Sequence, residues 1–155
     1  NSYYNSEQVG GADLYTNKDY NIVYNSCTDS KKYNLDTTGV PLKFSDSTTA
    51  TTPTTATNHI FKIIKTDKGY ILKKKNGNEL FIEGDEGDPE YQLKIDTTNN
   101  TNGTIIEFIK HGENNNDSLY RLRAYSDKEL NIKADKSAIF KKGDGIPLKF
   151  KLVTN

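Results

Sequence analysis

A chain of 155 residues with 21 Lys plus Arg, 21 Asp plus Glu and no net charge fits one domain with a sizeable core. It projects no overall field that would draw it to nucleic acid or to an anionic membrane. Leu, Ile, Val and Phe supply only 34 residues, six of them Phe, beside ten Tyr, so the core must be thin and partly aromatic.

In chain order, residues 1–13 read as an N-terminal extension, and the opening NSYYNSE without Met suggests either a processed, secreted chain or a trimmed one. From Leu14 onward, short segments alternate apolar and polar residues, the mark of a strand with one face in the core. The first three are DYNIVYN around Tyr20, KYNLD with Tyr33 and Leu35, and PLKFS with Leu42 and Phe44. The interruption SDSTTATTPTTATN, Ser45 to Asn58, has no aromatic residue and cannot pack a core. It reads as a surface loop or an O-glycosylated tract, or as a binding loop carried by a rigid scaffold. Alternation then resumes in IFKII, GYILKKK, ELFIE, YQLKI, IIEFI, LYRLRAY, ELNIK, SAIFK and LKFKL. The Gly, Asn and Asp between these segments tolerate turns. The longest apolar runs, IFKII and TIIEFI, are too short for a membrane-spanning helix. No stretch of ten residues keeps a capped helical period, so the class is all-β with about twelve strands.

The strands repeat. Tyr20, Tyr70 and Tyr120 each precede an Ile or Leu by two residues and lie fifty apart, and four segments follow in the same order within three copies. Three such units arranged about an axis can bury faces and edges that each alone would expose. This pattern resembles the β-trefoil superfamily from about Leu14 to Val153. The resemblance implies three pseudo-symmetric four-strand lobes, about 14–66, 67–112 and 113–155, forming a six-stranded barrel with a hairpin cap. The three Tyr would be equivalent positions around the pseudo-threefold axis.

Catalytic chemistry is not indicated. His59 and His111 are the only histidines, and neither a Gly-x-Ser-x-Gly elbow nor a His-Glu-x-x-His helix accompanies them. One Cys with two distant His does not make a zinc site. The run EGDEGDPE, with Asp85, Glu86 and Asp88, lacks EF-hand spacing, so no metal or cofactor is expected. Cys27 is the only cysteine. It is either buried or bridges two chains, giving a monomer or a Cys27-linked dimer. Asn99, Asn102 and Asn116 are acceptors for N-glycosylation. Lys73, Lys74, Lys75, Lys141, Lys142, Lys149 and Lys151 form either a patch for heparin-like or phosphate ligands or a solvated face.

The family resemblance implies binding work, with a carbohydrate or a protein as partner. Ricin-B-like lectins carry Gln-x-Trp repeats. This chain has no Trp; Phe61, Ile106 and Phe150 stand at what looks like the Trp position, after His59, Thr104 and Leu148. Tyr24 and Tyr125 are the candidate rings for stacking on a sugar. LYTNKDYNIV is similar to the Leu-x-x-Gly-x-x-Tyr-x-Ile-Leu opening of the Kunitz-type (STI) inhibitors, with Asn17 at the Gly. GVPLKFS and PLKFKLV resemble two further segments of that family, and SLYRLRA a stretch of the mycocypins. That likeness implies a reactive loop near Ser45 to Asn58, with Thr51, Pro53 and Thr54 as contact residues. The loop has no Lys or Arg, so trypsin-like proteases are poor targets. The expectation is a secreted, non-catalytic binding protein, with protease inhibitor and lectin both open. Exposed Tyr paired with Asp or Asn in pockets would favour the lectin, and one ordered, protruding loop the inhibitor.

Overall fold

The computed structural model describes residues 6–46, 53–75, 77–96, 103–114 and 117–154. Within them lie twelve strands and no α-helix. In chain order the strands are β1 (Tyr20–Asn25), β2 (Lys32–Asp36), β3 (Lys43–Asp46), β4 (Phe61–Thr66), β5 (Gly69–Lys74) and β6 (Leu80–Glu83). They continue with β7 (Glu90–Ile95), β8 (Glu107–Asn114), β9 (Asp117–Ala124), β10 (Lys128–Ile132), β11 (Ala138–Lys142) and β12 (Lys149–Leu152). Each coincides with an alternating segment of the sequence, because period-two burial suits a strand with one face on the core.

The strands form two six-stranded sheets. One runs β3-β2-β1-β4-β5 with β12 also on β1; the other runs β6-β7-β11-β10-β9-β8. This differs from the expected barrel, since no continuous hydrogen-bonded ring closes among the described residues. Where the sheets meet, pairing shrinks to isolated bridges, Tyr70 opposite Ile106 and Tyr120 opposite Leu148. At the second of these, Pro147 lacks an N–H and cannot carry the ladder further back.

The repeated Tyr nevertheless behave alike. Tyr20 faces Phe61 as Tyr70 faces Ile106 and Tyr120 faces Leu148. Leu148, not Phe150, is therefore the third counterpart, a shift of two residues from the sequence reading. At the opposite end, Leu42 donates its N–H to the Leu93 carbonyl at 3.0 Å, and Ala138 donates to the Leu42 carbonyl at 2.9 Å. These three residues, the first apolar position of each third segment, are all buried.

A single apolar cluster joins both sheets, including Ile22, Leu35, Phe61, Leu72, Leu122 and Leu130. Val9 and Ala12 belong to it, although they precede the boundary drawn at Leu14. Their segment is tied down by the repeated Tyr. The backbone N–H groups of Gly10, Asp13 and Tyr15 donate to the hydroxyls of Tyr70, Tyr120 and Tyr20 at 3.2, 2.8 and 3.0 Å. The Tyr repeat thus has a second use, as three acceptors for one strap of chain.

Candidate functional site

Two features stand out from the packed scaffold, a cleft beside Tyr125 and a polar network around Asp36 and Asn21. The cleft, of about 500 Å³, is bounded by the β4–β5 turn, the segment entering β8, and Tyr125. Chain geometry puts the ring there. After β9 the backbone turns left-handed at Tyr125 and Ser126, with φ of 53° and 65°, a conformation disfavoured for side chains with a Cβ. The Tyr125 ring is 53% exposed, leans edge-on against Tyr91 with centroids 5.6 Å apart, and points its hydroxyl at the Ile82 carbonyl, 3.4 Å away.

Glycine makes the cleft wall close. A Cβ on Gly69 would lie 2.8 Å from Ile105 Cγ2, and one on Gly103 would lie 3.0 Å from the Leu80 carbonyl. Gly103 N–H donates to Glu79 Oε2 at 2.7 Å, which fixes the strand entering β8. The lining is then Ile105 as an apolar surface over the buried Ile71, Tyr125 as a ring, and Asp67, Lys68 and Glu107 as charged groups. An apolar wall beside carboxylate acceptors and an ammonium donor suits a polyhydroxylated ring: its C–H face meets the aromatic while its hydroxyls meet the charges.

The second feature is centred on Asp36, which is buried. Its Oδ1 accepts from Thr38 N at 2.9 Å, Thr38 Oγ1 at 2.8 Å and Asn58 Nδ2 at 3.0 Å. Its Oδ2 accepts from Ser45 Oγ at 2.5 Å and lies 3.1 Å from His59 Nε2. Burial opposes ionisation of this carboxyl, but the hydrogen bonds from Ser45, Asn58 and Thr38 outweigh it and hold the group well below the usual carboxylate range. Beside it, the buried Asn21 reaches the loop. Its Oδ1 accepts from Thr54 N at 2.8 Å, and its Nδ2 donates to the Thr54 carbonyl at 3.1 Å and the His59 carbonyl at 2.9 Å.

Of the residues named from sequence, Tyr125 lines the cleft, while Tyr24 is partly buried against Tyr33 and Phe44, both at 6.4 Å. Thr54 and Pro53 are half-buried, and the structure brings Thr54 to Asn21 and not to Tyr125. Thr51, Asn99, Asn102 and Asn116 lie outside the described residues. Cys27 is exposed in the β1–β2 turn, which removes the buried alternative. His111 lies within β8, next to its bulge. Among the described residues no group of His, Cys, Asp and Glu is placed to hold a metal ion. Of the basic residues, Lys75 pairs with Asp19, as Lys62 does, and Lys142 pairs with Asp127. Sequence reasoning missed Asn21, Asp36 and Asp67, which sit inside ordinary strand or turn motifs. Only Asp36, a charge on a buried strand with Tyr33 and Leu35, carried a usable signal.

No family model matches the sequence, and no curated protein does. Among solved structures the chain is similar to a salivary protein from Culex quinquefasciatus that belongs to the Cysteins and Tryptophan-Rich (CWRC) family. That likeness has 17% identity and a TM-score of 0.58, and it covers 92% of this chain and 97% of that one. The chain is also similar to the Macrolepiota procera ricin B-like lectin in complex with lactose, with 15% identity and a TM-score of 0.52, covering 93% of this chain and 92% of that one. At these identities the likeness is one of fold.

Proposed function

We propose that the chain is a secreted β-trefoil domain, with lobes of about 14–66, 67–112 and 113–155, that binds carbohydrate without catalysis at the Tyr125 cleft. The trefoil arrangement is supported by the three Tyr pairings at one end and the linked Leu42, Leu93 and Ala138 at the other. The fold likeness to a ricin B-like lectin agrees with it. The secreted location rests on the fold likeness to a salivary protein.

The observation that carries the ligand class is the exposed Tyr125 ring in a cleft that also offers Asp67 and Glu107. Glycan-array binding of the purified chain tests this, with Tyr125→Ala as the paired variant. Specific binding lost in the variant is the expected outcome; binding unchanged in it, or no binding to any glycan, would overturn the reading.

A second reading is favoured by Asn21. Its three hydrogen bonds to the Thr54 and His59 backbone hold the C-terminal side of the lobe-one loop in place. Holding residues 54–59 in place in this way lowers the entropic cost of docking them on a protein such as a protease. A serine and cysteine protease panel at micromolar concentration separates the two readings. Stoichiometric inhibition lost on Asn21→Ala would move the function to this loop.

A further inference from the structure

Few contacts set the rotation of the Tyr125 ring. It is 53% exposed, and its hydroxyl lies 3.4 Å from the Ile82 carbonyl, at the long limit of a hydrogen bond. A side chain held so lightly can move among three staggered χ1 wells, and turning to either of the others swings the ring off its present place in the cleft wall. The contact that singles out one well is Tyr91. The two rings meet at an interplanar angle of 77° with centroids 5.6 Å apart, the edge-to-face arrangement that aromatic quadrupoles favour.

Tyr91 is itself held. On β7 it packs, half-buried, against the apolar cluster. A Cβ on Gly84 would lie 2.2 Å from its Cδ1 and 2.8 Å from its Cγ and Cε1, so only a residue without a side chain lets the backbone close on the ring. Lys128 Nζ lies 5.1 Å from the ring centroid, a cation on a π face, and that ammonium is tied to Asp127 Oδ1 at 3.2 Å. Asp127 in turn donates its N–H to the Tyr125 carbonyl at 2.8 Å. The contacts therefore run in a closed circuit, from the Tyr125 ring through Tyr91, Lys128 and Asp127 back to the Tyr125 backbone. The turn that makes Tyr125 left-handed also carries the ammonium that pins its neighbour. Tyr91 does not line the cleft, so whatever it does there it does through Tyr125.

Resting on the carbohydrate reading of this cleft, we infer that Tyr91 is its positioning residue: it selects the Tyr125 rotamer on which a sugar stacks, and sets affinity without touching the ligand. A ring freed among three equally populated wells would be competent about a third of the time, which raises the apparent Kd about threefold.

Three single substitutions in the full chain test this. Tyr91→Phe keeps the ring, Tyr91→Leu removes it, and Gly84→Ala leaves Tyr91 in the sequence but pushes its ring aside. Hα–Hβ couplings and ring-to-ring NOEs of Tyr125, measured without ligand, report its rotamer. Titration with glucose, galactose, mannose, N-acetylglucosamine and lactose reports affinity. The expected result is a single rotamer in the wild type and in Tyr91→Phe, averaged couplings in Tyr91→Leu and Gly84→Ala, and a Kd raised about threefold in those two only. Couplings that stay unaveraged in both would overturn the brace, and Gly84→Ala decides alone should Tyr91→Leu fail to fold. Averaged couplings with unchanged affinity would overturn the positioning role and leave the carbohydrate reading intact, as would an equal loss of affinity in Tyr91→Phe. A wild type that binds no sugar would overturn the carbohydrate reading and the role at a sugar site with it, while the couplings still decide whether Tyr91 holds the ring.

Discussion

Asp36→Asn is the sharpest test of how the segments around Thr38, Ser45 and Asn58 are held. The substitution keeps side-chain shape, and an oxygen in place of Oδ1 can retain the bonds from Thr38 and Asn58. The amide nitrogen then replaces Oδ2, opposite Ser45 Oγ and His59 Nε2. Four hydrogen bonds lose their charge assistance, and a hydrogen bond to an ionised partner contributes about 1 kcal/mol more than a neutral one. Because such bonds are not additive, the expected loss is about 2–3 kcal/mol at neutral pH. The pH dependence follows from linkage. Asp36 is depressed from its ordinary 3.8, so its contribution is present above that value and disappears as pH falls through the folded-state value. In that window the unfolded chain holds one more proton, and wild-type stability drops by about 1.4 kcal/mol per pH unit on this account. Asparagine has no such slope, so the gap between variant and wild type should narrow by about 1 kcal/mol between about pH 7 and about pH 3. Urea unfolding of both proteins at each pH measures it. A neutral-pH loss below about 0.5 kcal/mol, or a gap that stays constant with pH, would refute the view that Asp36 is an ionised anchor.

Two further outcomes follow from the packing. Gly145→Ala would put a Cβ 2.5 Å from the Leu130 carbonyl and 2.8 Å from Glu129 Cβ, a clash with backbone that costs about 1–3 kcal/mol; a thermal melt matching the wild type would disprove the close approach. Removing residues 1–13 deletes the buried Val9 and Ala12 and two N–H donors to Tyr hydroxyls, a loss of about 3–5 kcal/mol. An unchanged melting temperature would mean that the strap is dispensable.

The strands were legible because alternation is local: Leu35, Phe44, Ile63 and Leu130 are buried where period two puts them. Partnership across the chain was not. The strap of residues 6–13 has no periodic pattern, and its binding depends on Tyr hydroxyls as many as 107 residues away. Leu148 and Phe150 fit the alternation equally well as the third counterpart of Phe61 and Ile106, and only the bridge to Tyr120 distinguishes them. Of the candidate site, Tyr125 was visible as an aromatic beside a turn. Asp67 and Glu107 were not, because charged residues at strand ends are commonplace and only the fold brings these two to the same cleft.

The repeat also bears on where binding resides. Residues that recur at intervals of fifty hold the scaffold, since Tyr20, Tyr70 and Tyr120 make the same pairings and accept from the same strap. A lobe-specific activity has to come from positions that do not recur. Five residues after each Tyr stand Asn25, Lys75 and Tyr125; Lys75 is engaged by Asp19 at 3.3 Å, and Asn25 ends β1 in solvent. Only the third carries a ring, and only there is the backbone of that position left-handed. A conformation of that kind costs of order 1 kcal/mol, and at a purely solvated turn replacement by Gly or Asn would relieve it. Its presence beneath an exposed aromatic therefore favours one asymmetric stacking site over three equivalent sites, and predicts that the Tyr125 cleft holds one saccharide per chain.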